Sequence, residues 1–140
     1  MFRQSGTAMA YNFGGVRMIR GIGIDITEIN KIAKSVESEA FQQKVFTPAE
    51  LKTCSEIKNR AECLAGKFAA KEAFMKALGA GLRQKVWFIQ IEVLNDESGK
   101  PVIHVSGEAE KRLKENGAKQ IHISISHSGG LAVAVVILDE

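Results

Sequence analysis

The segment Phe68-Ala-Ala-Lys71-Glu72-Ala-Phe-Met-Lys76 places a carboxylate and an ammonium group four residues apart. Four residues is about one helical turn, so Glu72 and Lys76 project from the same face of a helix. The flanking residues are largely apolar from Leu64 to Leu78, which is typical of a helix buried on most of its circumference. Buried charges need partners or a ligand. The segment therefore predicts both a central helix and a functional site.

This helix is expected to run from about Asn59 to Leu78, because Gly79 and Gly81 then end it. The β-branched, glycine-containing stretch from Val16 to Ile26 predicts the first strand. Thr27 is a plausible N-cap for a helix that continues to about Glu39. Before the long helix, Thr47-Pro-Ala-Glu50 forms a capping box that predicts the start of a short second helix.

The second half of the chain is richer in strands. Alternating apolar residues predict a strand from Trp87 to Leu94, and Pro101 to Val105 returns as the next one after a turn. A polar helix is expected from Ser106 to Asn116. The strand around Ile121–Ile125 and the nearly all-apolar strand Leu131–Leu138 complete an α+β domain. Because that last strand is apolar throughout, we expect both of its faces to be covered, one of them by another copy of the chain.

Composition fits one globular domain. The chain has 140 residues, 45% of them hydrophobic and 25% charged, and a net charge of +3, which is too weak to indicate nucleic-acid binding. No run approaches the roughly 18 apolar residues of a membrane span, so we expect no membrane partner. We expect residues 1–17 to be a disordered extension or a remnant of cloning, and residues 18–140 to form the domain. Cys54 and Cys63 lack the spacing of a zinc site, and we favour reduced thiols in a cytoplasmic protein.

Asp25 follows the first strand and admits two interpretations. It could stabilise the start of the next helix, which its position alone slightly favours, or it could be a ligand-binding carboxylate. Gly21 and Gly23 support the second, because they let other backbone or a ligand approach closely. For Glu72 and Lys76 the alternatives are an intrahelical ion pair and a site in which two carboxylates hold Mg²⁺ on a phosphate ester. One or both of Lys67 and Lys71 could reach a phosphate, or either could be a solvated or snorkelling side chain, which we slightly prefer for Lys67.

A third element is Ser126-His127-Ser128 with the glycines that follow. Hydroxyls and backbone N–H groups at such a turn could cradle an anion. Neighbouring strand residues point to opposite faces, and no G-x-S-x-G motif exists, so a hydrolase triad is not indicated. No phosphate-binding P-loop or dinucleotide fingerprint is present either.

These elements together resemble the holo-acyl-carrier-protein synthases, the small class of 4′-phosphopantetheinyl transferases. The motifs that carry the resemblance are Gly21-Ile-Gly-Ile-Asp25-Ile-Thr-Glu, Phe41-x-x-Lys-Val-Phe46-Thr-Pro-Ala-Glu50, Phe68-x-x-Lys71-Glu72-x-x-x-Lys76 and Ile125-Ser-His127-Ser. The match covers Met18 to about Leu138. It implies a single domain with a mostly antiparallel sheet packed on a long central helix.

The resemblance also implies a reaction. Coenzyme A would donate its 4′-phosphopantetheine arm to a serine of an apo acyl carrier protein, releasing adenosine 3′,5′-bisphosphate, in a Mg²⁺-dependent step of fatty-acid biosynthesis. Asp25 and Glu72 would hold the metal, Glu72 would help remove the serine proton, and Lys76 would stabilise charge on the phosphate oxygens. The coenzyme itself would be bound by Lys71, Lys76, Gly79, Gly81, Ser126, His127 and Ser128.

Members of this length form homotrimers with active sites between protomers, which implies that His127 reaches the site from the neighbouring chain. The acidic carrier would meet the basic residues Lys31, Lys34, Lys58 and Arg60. The family often has arginine where Lys31 stands, and lysine lacks its bidentate fork. Two other hypotheses stay open from the sequence: a non-catalytic module that binds coenzyme A or a nucleotide, and a metal-dependent nucleotide hydrolase.

Overall fold

The structure, a computed structural model, describes residues 18–140, and in that range it has five strands and five α-helices. They are β1 (Ile19–Glu28), α1 (Ile29–Ser35), α2 (Glu39–Val45), α3 (Pro48–Ser55), α4 (Arg60–Leu78), β2 (Ile91–Asn95), β3 (Pro101–Val105), α5 (Gly107–Asn116), β4 (Gln120–Ser128) and β5 (Leu131–Asp139). Two short 3₁₀ turns, Leu82–Gln84 and Phe88–Gln90, connect α4 to β2. The predicted α+β class is confirmed, whereas the expectation for residues 1–17 lies outside the described residues.

Helix α4 packs on a three-stranded antiparallel sheet whose strands are ordered β1–β5–β4, and β2 and β3 form a separate antiparallel hairpin. The Asn59 side chain caps α4 by accepting a hydrogen bond from the backbone N–H of Glu62 at 3.0 Å. At the other end Gly79 has φ = 72°, the left-handed conformation that favours glycine. The predicted extent of this helix is confirmed.

Two glycines let β1 lie directly against the backbone of α4. A Cβ atom at Gly23 would be 1.9 Å from the carbonyl oxygen of Ala73, and one at Gly21 would be 2.0 Å from that of Ala77. Both distances are far below van der Waals contact, so no other residue type fits without moving the strand from the helix. The sequence-based expectation of a close approach at these glycines is confirmed, and the neighbour is the helix backbone.

The sheet has one covered face and one open face within the described chain. Ala132, Ala134, Val136 and Leu138 of β5 are buried under α4. On the opposite face, Ile22, Ile24 and Ile26 of β1 are 57–63% exposed, and β5 adds Val133, Val135 and Ile137, which are half-buried. We call these six residues the outer sheet face. Within residues 18–140 of a single chain, α4 covers one face of β5. The prediction that both faces are covered is therefore confirmed for that face.

Several local predictions need correction. Thr27 stays in β1, and the first helical N–H group, that of Ile29, donates instead to the Gly130 carbonyl at 2.9 Å. The first helix ends at Ser35, and a separate helix, α2, follows because Ser38 provides a new N-cap.

The strand predicted from Trp87 begins only at Ile91. The Gln90 side chain accepts a hydrogen bond from the Trp87 N–H at 3.2 Å and closes a turn there. The capping box at Thr47 is confirmed.

The prediction of reduced cysteines is wrong. Cys54, in the last turn of α3, and Cys63, in the first turn of α4, form a disulfide, with Cα atoms 5.6 Å apart. The two helices meet there after a short connection, and sequence spacing alone carries no information on that distance. No helix among residues 18–140 is both long and apolar enough to cross a bilayer.

Replacing Gly23 with alanine tests the strand–helix contact. Because the added Cβ would overlap the Ala73 carbonyl oxygen, we expect Gly23→Ala to lower the free energy of unfolding by about 3 kcal/mol or more. Urea unfolding followed by circular dichroism at one fixed protein concentration measures it. Gly81→Ala is the matched control, since its Cβ would lie 3.7 Å from the Met75 sulfur, an ordinary contact. Equal midpoints for the two variants would contradict the role given to Gly23.

Candidate active site

Three of the predicted residues meet where β1 passes α4. The Lys76 ammonium donates hydrogen bonds to Asp25 Oδ1 at 3.1 Å and to the Ile24 carbonyl at 3.0 Å. Within residues 18–140 the ion pair of Lys76 is therefore with Asp25, across the strand–helix contact, and not with Glu72 along its own helix. The hypothesis of an isolated intrahelical pair is wrong, and Asp25 belongs to the same site as Lys76.

Glu72 lines the same cleft as Asp25 and Lys76. Its partial burial raises the pKa of the Glu72 carboxyl, the nearby negative charge of Asp25 raises that pKa further, and Lys76 opposes the increase. Two carboxylates that repel each other beside a single ammonium group leave an excess of negative charge. Such a site favours an additional cation.

The donor set fits Mg²⁺. This ion takes oxygen ligands, typically one or two carboxylates completed by waters and substrate phosphates. Residues 18–140 contain no cluster of three or more His, Cys, Asp or Glu side chains able to hold a metal. A divalent ion would accordingly rest on Asp25 and Glu72 and would depend on a phosphate-bearing substrate for the rest of its shell.

Two open clefts, each of about 550 Å³, share Glu72 and Lys76. The first contains Asp25 and runs toward Lys31 of α1, with the aromatic side chains of Phe41 and Phe68 in its wall. Neither phenylalanine was predicted as a site residue. Phe68 lies four residues before Glu72 and so on the same helix face, which is a signal that could have found it. For Phe41 the available signal was its place at the start of one of the motifs that carry the family resemblance, since α2 itself was not predicted.

The second cleft lies beyond the C-terminal end of α4. It is lined by Gly79, Gly81 and Arg83 in addition to the shared Glu72 and Lys76. The structure thus places both glycines predicted for the coenzyme next to Lys76, where helix α4 ends.

His127 lies in a different cavity, of about 290 Å³, with Glu62, Gly66 and Lys67. Its Nε2 is 3.1 Å from the Glu62 carbonyl oxygen. Gly66 makes this possible, because a Cβ there would be 2.9 Å from Nε2. This cavity shares no lining residue with either cleft, so one chain does not bring His127 to Asp25 and Glu72.

The predicted grouping of Ser126, His127 and Ser128 is corrected by strand alternation. His127 faces α4, whereas Ser126 and Ser128 are exposed on β4 and point to the other side of the sheet. Within one chain, a single anion could not contact all three side chains.

Lys71 is also corrected. Its side chain is completely buried, and its ammonium group donates to Glu50 Oε1 and the Val45 carbonyl, both at 2.7 Å, and to the Phe88 carbonyl at 3.0 Å. Burial lowers the pKa of Lys71, and the charge of Glu50 opposes that shift. Since all three N–H bonds are used, Lys71 cannot bind the coenzyme in this structure and has a structural role.

The predicted carrier-binding residues fall into two groups. Lys31 borders the first cleft, and Lys34 is exposed on the same short helix. Lys58 and Arg60 lie at the opposite end of α4, about 24 Å from Lys76 at 1.5 Å per residue. Only the α1 lysines are therefore near Asp25 and Glu72 within one chain.

Comparison with known proteins shows the family. The family model described as the 4′-phosphopantetheinyl transferase superfamily matches residues 21–136. A holo-[acyl-carrier-protein] synthase of Halothermothrix orenii is 50% identical over 125 residues, which cover 88% of this chain and 99% of that protein. One from Trichlorobacter lovleyi is 48% identical over 87% of this chain and 98% of its own length.

Solved structures give the same result. The Bacillus anthracis holo-(acyl-carrier-protein) synthase in complex with CoA (3′,5′-ADP) is 42% identical, with a TM-score of 0.72 over 87% of this chain and 97% of that chain. The Helicobacter pylori synthase in complex with coenzyme A is 32% identical, with a TM-score of 0.73 over 84% of this chain and 98% of its own.

The fold and these matches define a class of enzymes that transfer a phosphopantetheine group. The chain belongs to the 4′-phosphopantetheinyl transferase superfamily and, within it, to the holo-[acyl-carrier-protein] synthases. Because this class is catalytic, the hypothesis of a non-catalytic binding module is set aside.

Two of the three lysines of α4, Lys71 and Lys76, should respond oppositely to removal of their charge. Lys71→Met leaves the buried Glu50 carboxylate without its cation, so we expect a loss of about 3–5 kcal/mol in the free energy of unfolding. Lys76→Met removes a half-exposed ammonium, so stability should change by less than about 1 kcal/mol, while transfer activity should fall by about 100-fold or more.

Chemical unfolding and a transfer assay on the same preparations measure both effects. The double variant Glu50→Gln, Lys71→Met is the control, and it should be more stable than Lys71→Met because no carboxylate remains unpaired. A Lys71→Met protein that unfolds like wild type but has lost activity would contradict the assignment.

Proposed function

We propose that this chain transfers the 4′-phosphopantetheine group of coenzyme A to a serine of an apo acyl carrier protein in a Mg²⁺-dependent reaction that releases adenosine 3′,5′-bisphosphate. The convergence of Asp25, Glu72 and Lys76 where two clefts meet carries the proposal. One cleft can take the nucleotide part of the donor and the other the pantetheine arm with the incoming serine.

The residues divide the chemistry between them. Mg²⁺, when bound, neutralises the pyrophosphate and helps to align it for displacement. Glu72 lines the cleft beside Asp25 and Lys76, where its carboxylate is positioned to take the serine proton directly or through water. As the serine oxygen bonds to phosphorus, the bond to the bridging oxygen breaks, and the Lys76 ammonium stabilises the charge that collects on the departing bisphosphate.

The first cleft suits the acceptor side of the reaction. Phe41 and Phe68 offer apolar walls beside Glu72. Lys31 adds positive charge to the lining, and Lys34 is exposed about one turn further along α1. An acidic carrier is attracted to such a basic edge, which favours encounter. The proposed setting is the cytoplasm, where the modified carrier serves fatty-acid biosynthesis.

We also propose that the active form is a homotrimer with sites between protomers. The outer sheet face presents three isoleucines that are 57–63% exposed, an arrangement that marks an interaction surface. His127 lies in a cavity separate from the metal carboxylates of its own chain. Assembly would let the His127 cavity of one protomer complete the nucleotide side of a neighbour's site.

Substituting Glu72 tests the reaction. Glu72→Gln keeps the shape of the side chain but removes the carboxylate, so we expect transfer to fall by about 100-fold or more. The assay incubates the protein with coenzyme A, Mg²⁺ and an apo acyl carrier protein, and mass spectrometry follows the gain of one phosphopantetheine on the carrier. Glu97→Gln, in the exposed turn after β2, should remain as active as wild type.

Chelation extends this test. Removal of divalent ions should stop transfer by the wild type, and added Mg²⁺ should restore it. A wild-type protein that modifies the carrier at an unchanged rate in excess chelator, or a fully active Glu72→Gln variant, would contradict the proposed function.

A charge placed on the outer sheet face tests the trimer. Ile24 is 57% exposed in one chain, so Ile24→Glu should leave the monomer folded but prevent assembly and reduce transfer. Analytical ultracentrifugation measures the mass, with Ile89→Glu as the control because Ile89 is 47% exposed away from this face. A trimeric Ile24→Glu protein, or a monomeric wild type with full activity, would contradict the proposal.

A further inference from the structure

Thr27 shares a strand face with Asp25 and is bonded to its carboxylate. Residues two apart on a strand point the same way, and the Thr27 hydroxyl donates to Asp25 Oδ2 at 2.8 Å. The side chain faces α4, and the residue is only 7% exposed. It does not cap α1, whose N-cap position is Glu28. The hydroxyl proton of a buried residue is thus committed to the carboxylate of the candidate site.

The two oxygens of Asp25 have different partners as a result. Oδ2 accepts from Thr27, while Oδ1 accepts from the Lys76 ammonium at 3.1 Å, and the Lys76 side chain is 55% exposed. A carboxylate can rotate about its bond to Cβ, which would exchange these oxygens. The hydroxyl opposes that rotation, because turning would break a charge-assisted hydrogen bond in a buried setting.

We propose that Thr27 is a positioning residue that holds the Asp25 carboxylate with Oδ1 directed to a cation. In this structure that cation is Lys76, and a divalent ion held by Asp25 would use the same orientation of the carboxylate. The inference rests on the proposed function in one respect, that a divalent ion binds at Asp25. Hydrogen bonds that orient a metal ligand typically change metal affinity by about 10-fold to 100-fold when they are removed.

The test measures Mn²⁺ binding by electron paramagnetic resonance in the presence of coenzyme A and without a carrier. Thr27→Val replaces the hydroxyl by a methyl group of similar size, Thr27→Ala removes it without adding a group, and Thr27→Ser keeps it. We expect Thr27→Val and Thr27→Ala to weaken Mn²⁺ binding by about 10-fold or more. The Mn²⁺ affinity of Thr27→Ser should stay close to that of the wild type. In the transfer assay, the Thr27→Val variant should need more Mg²⁺ than the wild type to reach its half-maximal rate. Its KM for coenzyme A should change less.

Thr47→Val is the matched control. The Thr47 hydroxyl also donates to a carboxylate oxygen, that of Glu92 at 2.6 Å, but Thr47 lines neither cleft. Loss of the Thr47 hydroxyl removes the cap of α3, so Thr47→Val should lower the unfolding midpoint without changing the affinity for Mn²⁺. If Thr27→Val does not fold, Thr27→Ala decides the outcome.

Three results would overturn the proposal: wild-type Mn²⁺ affinity in the Val and Ala variants, a Ser variant as weak as Val, or no Mn²⁺ binding by the wild-type protein. Because the binding measurement uses no carrier protein, a wild type that binds Mn²⁺ but transfers nothing would refute the proposed function and leave the result for Thr27 standing.

Discussion

The contact between β1 and α4 at Gly21 and Gly23 is the constraint on which the site depends. At both positions a Cβ would come within 2.0 Å of a helix carbonyl oxygen, so the strand and helix backbones are as close as they can be. Asp25 is the next residue on that inward strand face after Gly23. It consequently emerges beside the α4 turn that carries Glu72 and Lys76, within hydrogen-bond reach of the lysine. A larger residue at either glycine would separate the elements and the charges together.

Burial decides which charges of α4 are available for chemistry. Lys71 and Lys76 are five residues apart on one helix, yet Lys71 is fully buried with Glu50 and Lys76 is half-exposed beside Asp25. The Glu50 carboxylate also accepts the backbone N–H groups of Thr47 and Val93, at 2.8 and 2.7 Å, so this pair connects α3, α4 and β2. The Lys71 charge is neutralised inside the protein, whereas the half-exposed Lys76 ammonium, although paired with Asp25, remains accessible from both clefts.

Sequence patterns predicted the parts of this protein that depend on local spacing. Helix α4, its glycine end and the capping box at Thr47 follow from residues a few positions apart. The grouping of Asp25, Glu72 and Lys76 was predicted because their chemistry suits one ligand, but the direct ion pair of Asp25 with Lys76 was not predicted. The partner of Lys71 could not be predicted, because Glu50 lies 21 residues away and nothing in the helix sequence separates a buried lysine from a snorkelling one. The Cys54–Cys63 bond, the turn before β2 and the hydroxyl bond of Thr27 likewise depend on tertiary neighbours.

Strand β1 carries both Asp25 and part of the outer sheet face. Because side chains alternate, the register that turns Asp25 toward α4 also turns Ile24 and Ile26 outward, and a shift by one residue would exchange the two sets. Ile24 contributes to both features. Its carbonyl accepts a hydrogen bond from Lys76 at 3.0 Å, and its side chain belongs to the outer sheet face. An assembly that packs against Ile24 would therefore also fix the backbone that positions Lys76. In this strand, the proposed association between chains and the placement of the Lys76 ammonium would depend on the same residue.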